Sequence, residues 1–352
     1  MQGHLKSALT ALLAAALFGA ATPIAKSLLG AVPPFMLAGL FYLGSGLGLA
    51  AVMGVRRLAG AGAEPAARCI PAAEVPWLLG AVAAGGIAGP ALLMLGLATT
   101  PAAASALLLN LEGVFTAAIA WIVFRENADR RILLGMTAIV VGSALLSSQP
   151  GRASLSSGSL LIAAACVCWA LDNNLTRKVS TNDPLLLACI KGLVAGPVNL
   201  ALALYLGAPV PDAVNVLLAM LTGFVGYGVS LVLFILALRD LGTARTGAYF
   251  SAAPLFGVVL SFALWPERPP ALFWPAAALM VFGVWLHLRE RHEHLHTHEA
   301  LKHSHRHRHD AHHQHSHDFD WNGREPHVHP HRHEPLTHAH AHYPDIHHRH
   351  SH

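Results

Sequence analysis

One five-helix pattern is written twice in this chain, and the odd number constrains the fold more than any other feature. A shift of 150 carries Pro34, Leu37, Ala38, Leu43 and Gly46 onto Pro184, Leu187, Ala188, Leu193 and Gly196. A shift of 141 carries Leu95, Leu97, Ala103, Phe115, Glu126, Val140 and Gly142 onto Leu236, Leu238, Ala244, Phe256, Glu267, Val281 and Gly283. Five crossings of a bilayer leave a second copy starting on the opposite side, so the two copies are expected to be related by an axis in the membrane plane. Inverted duplications of this kind build alternating-access carriers, with the substrate site where the halves meet.

The membrane reading rests on composition. Hydrophobic residues make up 54% of the chain and charged ones 12%, whereas a bilayer-crossing helix needs about 20 apolar residues. Ten stretches qualify, at about 6–29, 34–55, 77–98, 101–124, 132–148, 158–177, 185–206, 214–238, 242–265 and 271–289. None shows the polar face that a soluble amphipathic helix would carry. The first stretch resembles a signal peptide, but its apolar run is too long, and its end matches the sixth stretch through Phe18/Trp169 and Lys26/Arg177.

Lys6, Arg56, Arg57, Arg68, Arg125, Arg130, Arg131, Arg177, Lys178, Arg239 and Arg245 fall on one side of the ten-span arrangement, and only Arg152 and Arg268 on the other. The positive-inside rule then predicts cytoplasmic termini in a bacterial inner membrane. The net charge of +4 reflects this asymmetry and gives no reason to expect a nucleic-acid partner. Cys69, Cys166, Cys168 and Cys189 lack disulfide or zinc-ribbon spacing and read as small buried hydrophobes.

The runs 17–26, 101–116 and 120–126 in the first copy, with 246–256 and 265–267 in the second, resemble the drug/metabolite transporter superfamily, EamA type. The resemblance covers about residues 5–289. It implies ten spans, cytoplasmic termini, a central cavity, and export or exchange of metabolites, amino acids, nucleotide sugars or drugs. Two departures stand out. Gly113 follows the glutamate of span four where many members have proline, and Phe41 lies in span two where a basic residue is often nearby.

An ionisable side chain in hydrocarbon costs about 2.5–3.5 kcal/mol on insertion scales, so it usually has a partner or a task. Glu112 lies eleven residues past Pro101, roughly 16 Å along the helix and near the midplane. It is a candidate for binding a cationic group or carrying a coupling proton, against a packing role. Asp172 and Lys191 stand at similar depth on consecutive spans, which predicts an ion pair acting as an inner gate or as a structural clamp. Asn173 and Asn174 extend that polar patch, one of them toward the cavity. Lys26 sits near the outer end of span one, where it could snorkel to the interface or attract anions. Asn110 and Tyr249 complete the principal set, with Ser105, Thr116, Trp169 and Tyr227 secondary. No phosphate loop or catalytic triad suggests an enzyme.

Beyond the apolar copies the chemistry changes. Of 25 histidines, 23 lie in residues 292–352, with few aliphatic residues among them, so this segment is expected to be disordered. His292, His294, His296, His298, His303, His305, His307, His309, His312, His313, His315, His317, His327, His329, His331 and His333 offer many ligand pairs for nickel, cobalt, zinc or copper.

The expected fold is an all-α membrane protein of ten transmembrane helices in two inverted five-helix repeats, 1–149 and 150–291, followed by a disordered His-rich cytoplasmic tail, 292–352. The leading functional expectation is a secondary exporter of a small organic metabolite that requires no cofactor. The alternatives are divalent-metal efflux with the tail as collector and, further off, a membrane-anchored metal buffer or sensor. Expected partners are a small-molecule substrate and the lipid bilayer, and the assembly is open between a monomer and a homodimer.

Overall fold

The computed structural model describes residues 2–59, 70–124, 130–149, 152–179, 182–241, 246, 249–265, 269–288, 293–298, 301–307, 327–333 and 336–341. Its first unit, Met1–Glu290, is a bundle of apolar helices. The helices are α1 (Gln2–Leu28), α2 (Pro34–Leu58), α3 (Val75–Ala81), α4 (Gly89–Thr99), α5 (Ala102–Leu108), α6 (Leu111–Phe124) and α7 (Arg130–Ser147). They continue with α8 (Ser157–Val179), α9 (Pro184–Tyr205), α10 (Ala213–Gly223), α11 (Ser230–Leu241), α12 (Ala253–Leu264) and α13 (Phe273–Leu288). A two-stranded pairing of β1 (Ser148–Gln149) with β2 (Arg152–Leu155) joins α7 to α8.

Seven helical stretches are long and apolar enough to cross a membrane, and three more at Leu133–Leu146, Ala253–Leu264 and Phe273–Leu286 are apolar but shorter. This is a multi-pass membrane protein. Within the expected stretch at 242–265, residues 246 and 249–250 are helical, 251–252 form a turn, and a longer helix runs from Ala253.

Local chemistry sets the helix ends. Pro34 and Pro184 both occupy the first turn, where a missing N–H costs nothing. Asp183 caps α9 by accepting from the Leu185 N–H at 2.9 Å. Gly207, at φ 76°, takes the left-handed conformation that ends the helix. Two π-helical segments, Val82–Ala88 between α3 and α4 and Phe224–Val229 between α10 and α11, recur at about the repeat shift.

Packing between the copies is reciprocal. A Cβ on Gly46 would come within 2.6 Å of the Leu193 nitrogen, and one on Gly196 within 2.6 Å of the Leu43 nitrogen. These are the same two contacts read from either copy, since Gly196 and Leu193 are Gly46 and Leu43 shifted by 150. Gly39 meets Leu200 further along. Numbers rise on α2 as they fall on α9, so the two equivalent helices run antiparallel. The same holds for α7 and α13, where Gly142 meets Ala276 and Met280 while Gly283 meets Gly135 and Ile139. Glycine makes these approaches possible because any side chain would strike backbone.

The second unit, Arg291–His352, is a separate body. Its described parts pair as antiparallel strands, β3 (Glu293–His298) with β6 (Leu336–Ala341) and β4 (Leu301–His307) with β5 (His327–His333). His-x-His alternation has the two-residue period of a strand, a signal that composition alone does not carry.

Candidate functional site

The fourth apolar stretch is broken in its middle, and the break positions the acid. Asparagine competes for backbone groups and so interrupts helices. Here α5 stops at Leu108, the Asn110 N–H bonds the Leu107 carbonyl at 3.0 Å, and the Glu112 N–H bonds the Leu109 carbonyl at 3.1 Å as α6 begins. The Asn110 side-chain amide also donates to the Leu107 carbonyl, at 3.0 Å. Its Oδ1 is buried and has no hydrogen-bond partner among the described residues.

Glu112 follows two residues later and is half-buried. Its Oε1 accepts from Asn173 Nδ2 on α8 at 2.8 Å, and the same amide lies 3.4 Å from Thr116 Oγ1. Asn174 instead bonds the Ala170 carbonyl of its own helix at 2.8 Å. Of the two asparagines, Asn173 is the one that faces the acid.

Beside Asn173, Asp172 and Thr176 of α8 close a ring with Lys191 of α9. Lys191 Nζ donates to Asp172 Oδ1 at 2.5 Å and to Thr176 Oγ1 at 2.7 Å, and the threonine hydroxyl donates to the same carboxylate oxygen at 2.7 Å. The lysine and aspartate side chains are 4% and 12% exposed. The other face of the carboxylate rests on Gly85, where a Cβ would overlap it.

The π-segment provides the second polar layer, because its altered ladder leaves carbonyls free for side-chain donors. Gly85 O accepts from both the Tyr42 hydroxyl at 2.6 Å and Trp169 Nε1 at 3.0 Å, and Gly86 O accepts from Asn199 Nδ2 at 3.0 Å. Around these groups lies an aromatic cluster. Phe18 meets Trp169, Tyr227 and Phe250 at centroid distances of 5.8, 5.6 and 5.5 Å, and Tyr227 meets Phe41 and Tyr42 at 5.4 Å each.

Two principal residues lie in other settings. Lys26 donates to the Leu97 and Ala98 carbonyls at 2.6 and 3.1 Å, capping the end of α4. Tyr249 packs beside Ala11 and Ala237, in a small cluster apart from the main core. Cys166 and Cys189 are buried thiols beside the Leu108 and Gly46 carbonyls, and Cys69 lies outside the described residues.

Of the histidines, His292, His309, His312, His313, His315 and His317 also lie outside them. His294, His296 and His298 fall in β3, His303, His305 and His307 in β4, and His327, His329, His331 and His333 in β5. Among the described residues no group of three or more His, Cys, Asp or Glu is arranged to hold a metal ion.

Tyr42, Thr176 and Asn199 were not selected by sequence reasoning. Asn199 is legible as an amide within an apolar stretch, although it carries no charge. The hydroxyls of Tyr42 and Thr176 carry no such signal, since both residues are ordinary packing residues in membrane helices.

Comparison with known proteins agrees with this architecture. A solved crystal structure of a protein shares the fold at TM-score 0.59 and 21% identity, over 80% of this chain and 96% of that one. An uncharacterised transporter of Methanothermobacter thermautotrophicus is 27% identical over 207 residues, 57% of this chain and 60% of the relative. The uncharacterised transporter YyaM of Bacillus subtilis is 27% identical over 205 residues, 54% of this chain and 65% of the relative. The alignments thus span somewhat under two thirds of each relative. The pattern of the EamA-like transporter family matches twice, over residues 5–148 and 156–289. The chain belongs to the EamA-like transporter family.

Proposed function

We propose that this protein is a secondary carrier that exports a small organic metabolite from the cytoplasm by alternating access. Two inverted five-helix repeats would rock about an axis in the membrane plane, with both termini in the cytoplasm of a bacterial cell. The antiparallel, reciprocal packing of α2 on α9 and of α7 on α13 supports the inversion.

One observation carries the reading: Glu112 of the first copy is held by Asn173 of the second, beside a broken helix. Discontinuous spans at the junction of two repeats are where carriers of this architecture bind substrate. The carboxylate there binds substrate, a coupling proton, or each in turn. The test is flux in proteoliposomes. Glu112→Gln keeps the shape and the asparagine contact, so it should fold normally and lose gradient-driven transport. Undiminished coupled flux in this variant removes Glu112 from the mechanism.

A second reading, divalent-metal export, is favoured by the histidine register: His303/His331, His305/His329 and His307/His327 stand opposite one another on paired strands. Deleting residues 292–352 should then lower cellular tolerance to nickel, cobalt or zinc. Unchanged tolerance leaves the organic-metabolite reading alone.

A further inference from the structure

We propose that the broken fourth span recognises a protonated amine carrying an apolar or aromatic body. This deepens the carrier reading and rests on it for the step of transport, though not for binding.

The polar atoms left over at the break are acceptors. The Asn110 amide nitrogen is committed to the Leu107 carbonyl, which can only accept, so the orientation of the amide follows and Oδ1 is the orphan. Asn110 is 5% exposed, so among the described residues this is a deeply buried acceptor left without a donor. Such an atom destabilises the fold unless something arrives to donate to it.

Glu112, two residues on, is the companion acceptor. A carboxylate offers about four lone-pair positions, and the described structure fills one of them, from Asn173. Among the described residues it has no ion-pair partner. Lys191, the cation nearest in the network, is already held by Asp172 and Thr176. With Glu112 ionised, the site holds a negative charge that no described cation offsets, beside an unused neutral acceptor, and it lacks a donor to match them.

Ligand classes separate on this inventory. A carboxylate or phosphate would meet like charge with no cation to offset it. A neutral alcohol could donate but would leave the charge uncompensated. A divalent metal needs several hard or imidazole ligands, and no described group of three is arranged to supply them. An ammonium group brings positive charge and three donors, which is the complement of a site made of acceptors.

The surroundings fit the rest of such a molecule. Trp169 lies four residues before Asn173 and so on the same face of α8. Its ring packs against Phe18, which also meets Tyr227 and Phe250. Aromatic faces attract organic cations and accommodate an apolar body. Phe18 and Trp169 are equivalent positions of the two copies (a shift of 151), so their contact lies where the halves meet.

The experiment is calorimetric titration of the full chain, purified in detergent, with four probes: 2-phenylethylammonium, the matched 3-phenylpropionate, the matched neutral alcohol and nickel chloride. The amine should bind, with the carboxylate and the alcohol weaker by tenfold or more. Glu112→Gln should weaken amine binding at least tenfold while the melting temperature holds. Asn110→Leu should weaken it several-fold while raising the melting temperature, a divergence that a purely structural asparagine would not produce. Equal binding of the carboxylate or the alcohol, undiminished amine binding by Glu112→Gln, or absence of amine binding overturns the proposal. Nickel heat that survives Glu112→Gln and disappears on deleting 292–352 assigns metal to the tail and leaves the amine site standing. Binding is read without flux, so an amine that binds but is not carried counts against the transport reading alone. Flux of a non-amine without amine binding counts against this proposal alone.

Discussion

The Asp172–Lys191 pair gives the sharpest energetic test, because both partners are buried and both sit in the second copy. Lys191→Met removes two hydrogen bonds, those to Asp172 Oδ1 and Thr176 Oγ1, and leaves a carboxylate supported by one hydroxyl. Breaking a buried pair by removing one partner costs about 3–5 kcal/mol, since the survivor stays desolvated and uncompensated. Asp172→Asn leaves a buried ammonium with an amide oxygen and the threonine, and should cost somewhat less. The double variant leaves no orphaned charge. It should therefore be no worse than the poorer single variant, with a coupling of about 2–3 kcal/mol between the two positions. Denaturant unfolding in detergent micelles, followed by intrinsic fluorescence, measures all three. Additive losses in the double variant would refute the argument, because they would mean that each residue acts without the other. The same variants address the choice between gate and clamp. An ion pair joining α8 to α9 inside one copy need not break when the copies move against each other. A clamp predicts that variants which still fold retain their flux per folded molecule, whereas a gate predicts altered flux in the double variant despite recovered stability.

Three further outcomes follow from individual contacts. Gly85→Ala puts a methyl group into the Asp172 carboxylate; overpacking of this kind costs about 1–3 kcal/mol, and the loss should shrink in an Asp172→Ala background. Lys26→Met uncaps the Leu97 and Ala98 carbonyls and should cost about 1 kcal/mol, with Lys26→Arg recovering part of it; an unchanged midpoint would mean that water replaces the cap. At the start of α10, the Asn215 backbone N–H, together with its side chain and the Val214 N–H, holds the exposed Asp212 carboxyl below the usual carboxylate range. A lowered value means that the cap's charged contribution is complete above about pH 4 and disappears as the pH falls through the lowered value. Asp212→Asn, itself a good cap, should flatten that acid limb of a pH–stability curve; an unaltered limb would assign it to other groups.

The duplication was legible because membrane helices are long, apolar and insensitive to detail. Pro34/Pro184 and Gly46/Gly196 reappear as helix starts and as the close approach of α2 on α9. What the sequence hid are departures from regular helix. Hydropathy runs straight through 101–124, so the turn at 109–110 shows only as a single Asn110 whose significance depends on a hydrogen bond three residues back. The π-segments are likewise invisible, since Val82–Ala88 and Phe224–Val229 have the same apolar composition as their neighbours. Depth along a helix brought Asp172 and Lys191 to one level, but depth carries no rotation. It could not choose between Asn173 and Asn174, nor find Thr176 as the third member of the ring. Lys26 shows the same limit: its place near the end of a span does not reveal that it reaches another helix's carbonyls.

The backbone is duplicated, yet the charge is not, and the difference bears on how such a molecule could work. If two identical inverted copies exchanged conformations, the inward-open and outward-open states would have equal energy, because each is the other turned over. Here the first copy has Ala21, Ala25 and Phe41 where the second has Asp172, Thr176 and Lys191. The second has Ala253 and Ser251 where the first has Glu112 and Asn110. The ionic ring thus stiffens α8 against α9, while the equivalent α1 and α2 have only apolar residues at those positions. The acid sits on one broken helix and is answered by an amide from the other copy. In the proposed alternating-access cycle the two copies would supply two states, and these few polar side chains are what would give them different energies. Transplanting the ring, through Ala21→Asp with Phe41→Lys, should therefore shift the balance of the two states rather than merely destabilise the fold. Accessibility labelling of Glu112→Cys from each side of the membrane reads that shift, and an unchanged labelling ratio in a folded variant would locate the asymmetry elsewhere.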